Sequence, residues 1–144
     1  MEYKVDKDRI LEDIALIKKY LKVIETRYKK REDNENQDEV EFRYLGVSMA
    51  FFTILNKMIE LGEELVDNLN KNYTFTKYNE IVKILESEKI LTSKQAKIFS
   101  DFIAYRNEIA HEYDEIYSNE IDWCIKNIDF VEEFVKIVKK ELLK

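Results

Sequence analysis

The sequence contains no proline, two glycines, one cysteine and one histidine in 144 residues. Each shortage excludes something. Hairpins, sheets and barrels draw on glycine and proline for their turns, so an all-β or doubly wound fold is not expected. Gly46 and Gly62 lie too far apart to form a glycine-rich loop that cradles phosphate. A lone Cys124 rules out an internal disulfide and a cysteine-based zinc cluster. One histidine among scattered carboxylates offers no metal-ligand spacing, so neither a metal nor any other cofactor is expected. The N-terminal MEYKVDKDRI has no apolar signal core. The longest uncharged stretch, Tyr44 to Asn56, has thirteen residues, too few to span a bilayer. The expectation is a cytoplasmic protein with no membrane contact.

What is present suits helices. Hydrophobic residues make up 45% and charged residues 38%, the balance of an amphipathic helical protein. The length fits a single domain over residues 1–144, with enough chain for a real core. A net charge of −6 and a pI of about 5.0 argue against broad, sequence-blind affinity for nucleic acid, but leave room for a local phosphate site.

Apolar periodicity predicts five helices. The first runs from about Val5 to Lys30, with a stripe of Ile10, Ile14, Ile17, Leu21, Ile24 and Tyr28. Lys29 to Glu39 has no apolar residue and reads as a solvated loop. The second, from about Val40 to Asn70, has no polar face in its first half, which predicts a central helix or one in a subunit interface. Gly46 and Gly62 inside it point to close helix packing. Thr76 is placed to cap a short third helix carrying Tyr78, Ile81, Val82 and Leu85. Thr92 and Gln95 form a capping box for the fourth, from about Ser93 to Tyr113. Ser118 is placed to cap the fifth, whose stripe is Ile121, Cys124, Ile128, Val131, Val135, Val138 and Leu142. The expected architecture is all-α: a compact up-and-down bundle of five helices.

Reactive side chains concentrate in one run, Tyr105-Arg106-Asn107-Glu108-Ile109-Ala110-His111-Glu112-Tyr113. On a helix Asn107 and His111 share one face. Arg106 and Tyr113 share another, the apolar seam of Phe99, Phe102 and Ile109. Arg106 thus stands where the pattern calls for an apolar residue, and a buried arginine must be paired or must line a cleft. Arg106 and His111 are five apart, about 140° around a regular helix, so they converge only through side-chain reach, a loosened helix end or a second copy. Glu108, Glu115 and a helix C-terminus favour the imidazolium of His111. Cys124, on the core stripe, reads as a small hydrophobe.

The run Arg106 to Tyr113 resembles the Arg-x4-His-x-Tyr signature of HepT-like proteins of the HEPN superfamily. Arg43 with the apolar run to Leu65, Tyr78-Asn79-Glu80-Ile81 through Leu85, Ile90-Leu91-Thr92, and Asp122 to Phe134 are similar to successive parts of that family. The resemblance implies a helical homodimer whose motifs line a shared cleft, and a minimal nucleotidyltransferase antitoxin as partner. It implies metal-independent endoribonuclease activity on RNA, with no DNA expected. Arg106 and His111 would then be catalytic, Asn107 and Tyr113 supporting, and Tyr113 the acceptor of AMP from the partner. Two alternatives stand beside it: a non-catalytic HEPN module that binds nucleotide or docks the nucleotidyltransferase, and a plain helical dimerisation protein.

Overall fold

The computed structural model describes residues 3–111 and 118–144, with the backbone alone for 109–111 and 118. The described residues form six helices and no strand. Helix α1 spans Lys7–Arg27 and starts where the Asp6 carboxylate accepts the Arg9 N–H. Its Ile10, Ile14, Ile17 and Ile24 are buried as the stripe predicts, and Leu21 and Tyr28 pack at the margin. The chain leaves the helix at Tyr28, which turns to extended backbone.

Helix α2 spans Gln37–Asp67, three residues ahead of the expected start. The cause is Asn36, whose Oδ1 accepts the N–H groups of Asp38 and Glu39, two acids well placed at a helix N-terminus. It ends before Asn70 and Asn72, both in the left-handed region at φ 55° and 56°. By length and composition α2 is apolar enough to cross a membrane, a point the thirteen-residue uncharged run had not suggested. In the fold it is the central helix, packed against each of the other five. The two glycines differ. A Cβ on Gly62 would meet Ile81 Cγ2 at 3.1 Å, so this glycine permits close approach of the next helix. A Cβ on Gly46 would meet nothing within 4 Å, and the residue lies on an exposed face, so close packing among the described residues does not explain it.

Helix α3 spans Tyr78–Ser87. Thr76 does not cap it; its N–H instead donates to Glu80 Oε2 at 2.8 Å. The helix closes with Lys89 in the left-handed region, where the Ile90 N–H bonds Leu85 O and the Lys89 N–H bonds Glu86 O. Two residues on, α4 (Ser93–His111) opens with the expected capping box: Thr92 Oγ1 accepts the Gln95 N–H at 3.1 Å and Gln95 Oε1 accepts the Thr92 N–H at 3.0 Å.

The expected fifth helix is two, α5 (Ser118–Lys126) and α6 (Asp129–Leu142). Asn127 makes the break. Its side-chain amide donates to Trp123 O, and the backbone around it tightens to three-residue spacing. The turn keeps the stripe in register, so Ile121, Cys124, Val131, Val135, Val138 and Leu142 are all buried. Phe51, Phe99, Phe102, Phe130 and Phe134 meet at edge-on or tilted angles and tie α2, α4 and α6 into one core.

Candidate functional site

Phe99 and Phe102 commit one face of α4 to the core, and Arg106 is one turn further along that face. It is half-buried at the rim, which resolves its conflict with the apolar pattern. Its guanidinium carbon lies over the rings of Phe52 (5.1 Å) and Tyr78 (5.4 Å), so the apolar neighbours the seam demands are aromatic faces that attract a cation. Its inner nitrogen, Nε, donates to Asn56 Oδ1 at 2.9 Å. Its outer nitrogen Nη1 donates to Asn107 Oδ1 at 3.2 Å, in an exposed position. Among the described residues no carboxylate forms an ion pair with it. Both acceptors are neutral amides, so the contacts among the described residues orient the positive charge without cancelling it.

Of the four residues singled out from the sequence, Arg106 and Asn107 are therefore in contact. The backbone of His111 closes α4. The side chain of His111, and Tyr113 altogether, lie outside the described residues, as do Glu112, Asp114 and Glu115 and the cap expected from the Ser118 side chain. Sequence reasoning missed Asn56, Phe52 and Tyr78. The one available signal was Asn56 itself, a lone amide closing the uncharged run of α2.

One other polar centre and an aromatic contact hold the fold around this site. Asp122 Oδ1 accepts the hydroxyls of Tyr28 at 2.6 Å and Tyr44 at 2.7 Å, tying α1 and α2 to α5. Burial, then this carboxylate, pushes both phenols above their ordinary range. Trp123 packs edge-on against Phe102 and Tyr105, fixing α5 against α4. Cys124 is fully buried and burial pushes its thiol up, which suits a core residue and not a nucleophile. Among the described residues, no three histidine, cysteine or acidic side chains are grouped to hold a metal ion.

The all-helical fold is shared by three solved structures. One is a toxin–antitoxin with AMP-PNP: 16% identity, 90% of this chain and 97% of that one covered, TM-score 0.75. Another is a tyrosine-to-alanine mutant of the toxin–antitoxin MntA-HpeT, at 15% identity, 92% and 98% coverage and TM-score 0.77. A third is YutE, a cytosolic protein of unknown function from Bacillus subtilis, at 19% identity, 96% and 91% coverage and TM-score 0.77. Comparison with curated proteins gives no match. The family model described as ribonuclease HepT-like matches residues 10–138. The chain belongs to the HepT-like family.

Proposed function

We propose that the protein is the toxin of a toxin–antitoxin pair and acts as a metal-independent endoribonuclease. The observation that carries this reading is Arg106: a half-buried guanidinium held by two amide oxygens and paired with no carboxylate among the described residues, inside the motif of a HepT-like chain. Arg106 grips the scissile phosphate with its planar fork and stabilises charge developing on it. His111 moves the protons. The ribose 2′-oxygen loses its proton and attacks the adjacent phosphorus. The bond from phosphorus to the 5′-oxygen breaks, and that oxygen takes up a proton. The products are a 2′,3′-cyclic phosphate and a 5′-hydroxyl. Asn107 aligns Arg106, and Tyr113 contacts substrate and accepts AMP. The partner is a minimal nucleotidyltransferase antitoxin, a role supported by the two similarly folded toxin–antitoxin structures, and the setting is the cytoplasm.

The same reading includes a homodimer. Phe42 is 81% exposed, Met49 51% and Leu45 44%, and with Gly46 they form one unpartnered apolar face of α2. This face runs along the helix toward Phe52 and Asn56, so a second copy seated on it brings two Arg106 sites near a common axis. A mass measurement in dilute solution is expected to give the dimer, and Leu45→Lys with Met49→Lys to give a monomer; a wild-type monomer counts against it.

The net charge of −6 favours a second reading, a non-catalytic module that binds nucleotide or docks the partner. Cleavage of RNA by the purified protein, with and without His111→Ala and in the presence of a strong chelator, separates the two.

A further inference from the structure

Asn56 stands fifty residues from Arg106 and outside the motif, yet it makes the inner hydrogen bond to the guanidinium. We propose that Asn56 is a positioning residue for RNA cleavage: it fixes Arg106 through Nε without neutralising it, so that the outer edge meets the substrate phosphate. This deepens the ribonuclease reading above and rests on it.

The geometry divides the guanidinium into two edges. The inner edge is part-buried and engaged with Asn56 at 2.9 Å. The outer edge reaches exposed Asn107 at 3.2 Å. The rings of Phe52 and Tyr78 lie close to the guanidinium carbon and restrict its tilt. Arginine has five N–H donors in a rigid fork, so anchoring Nε sets the direction of the others. Phe52 and Asn56 are one turn apart on α2, so a single rigid helix supplies both a stacking face and the anchor. The chemical identity of the anchor matters as much as its place. A carboxylate there would hold Arg106 more strongly but would compete with phosphate for its charge. An amide orients the guanidinium and leaves the charge for the ligand.

Two substitutions at Asn56 separate these roles. Asn56→Leu removes the acceptor at similar volume. It is expected to lower kcat by about tenfold to a hundredfold on an RNA oligonucleotide, the scale for misplacing a group that holds the reacting centre. Asn56→Asp keeps the acceptor and adds charge. It is expected to raise KM about tenfold while leaving the protein at least as heat-stable as wild type. A residue needed only to satisfy Arg106 in the fold gives the opposite result, since aspartate serves that purpose fully. If Asn56→Leu does not fold, Asn56→Asp alone decides, and wild-type kinetics in that variant overturn the proposal. An independent readout is the Nε–H resonance of Arg106 in ¹⁵N spectra, assigned by its loss in Arg106→Lys. It should exchange slowly with water in wild type and Asn56→Asp, and rapidly in Asn56→Leu. A wild-type protein that leaves RNA intact defeats the ribonuclease reading. The resonance then judges the anchor, and an unchanged signal in Asn56→Leu overturns it.

Discussion

Two arginines in this protein are held in similar ways but, among the described residues, by acceptors of opposite kind: a carboxylate for one and amides for the other. Arg43 and Arg106 are each half-buried on a helix, each lies over an aromatic ring, and each donates through Nε to a fixed oxygen. For Arg43 that oxygen is the Lys29 carbonyl at 2.8 Å, and both Nη nitrogens close on the Glu35 carboxylate at 2.7 and 3.0 Å. The bidentate pair cancels the charge and clips the segment before α2 onto the helix. For Arg106 every protein acceptor among the described residues is an amide. Neutral acceptors set direction and leave the charge; a carboxylate sets direction and cancels it. The first arrangement suits a ligand site, the second a fold.

Removal of each arginine is the strongest way to break the comparison. Arg106→Ala and His111→Ala should each cost about a hundredfold or more in RNA cleavage, the scale of one electrostatic or acid–base group. Wild-type activity should survive chelation. Arg43→Ala should lower the melting temperature and leave kcat within about twofold. Equal losses of cleavage from Arg43→Ala and Arg106→Ala, in folded proteins, would erase the distinction.

A covalent anion near Arg106 should convert it to the state of Arg43. On the proposed reading, AMP attached to the Tyr113 hydroxyl should supply that anion as a phosphate and block the substrate cleft. Incubation with the cognate nucleotidyltransferase and ATP should add AMP by intact mass, silence cleavage in step with modification, and leave Tyr113→Phe unmodified and active. A fully adenylylated protein that still cuts at full rate defeats this regulation.

The aromatic faces are a smaller term. Tyr78 is 39% exposed and contributes its ring, so Tyr78→Phe should be neutral while Tyr78→Ala lowers kcat/KM about two- to fivefold, the size of one exposed cation–π contact. An equal loss in Tyr78→Phe and Tyr78→Ala would assign the effect to the hydroxyl and remove the stacking role.

Much of this was legible in the sequence, and what was hidden was hidden for physical reasons. The stripes of α1 and α6 and the Thr92–Gln95 box are local patterns, and local patterns name helices and their starts. Arg106 announced itself by interrupting an apolar seam. The break at Asn127 did not, because a tight turn that preserves the stripe leaves the period unchanged. Glu35 lay in a run that read as solvated loop; only the folded chain returns it to Arg43. Asn56 and Tyr78 come from two other helices, and no spacing along one helix reveals a partner across the bundle. Gly46 has the pattern of a packing glycine, but among the described residues nothing lies within 4 Å of where its Cβ would stand.

Acid gives the smallest effect and distinguishes the two arginines. Hydrogen bonding to Arg43 holds the Glu35 carboxyl at about 2, below its ordinary value of 4.5. A depressed carboxyl stabilises the fold fully above its unfolded pKa, and that contribution fades as pH falls through the folded value. The clip should therefore be intact near neutrality, weaken below about pH 4.5 and be lost near pH 2. Asn56 does not titrate, so the anchor on Arg106 has no such dependence of its own. The Nε–H resonances of the two arginines, followed from neutral to acid pH while the protein stays folded, should part company: Arg43 shifts and exchanges faster as Glu35 is protonated, and Arg106 holds its position. Glu35→Gln should flatten the Arg43 profile and leave Arg106 untouched. If both resonances move together, the two sites are not independent and the contrast between a cancelled and an available charge fails.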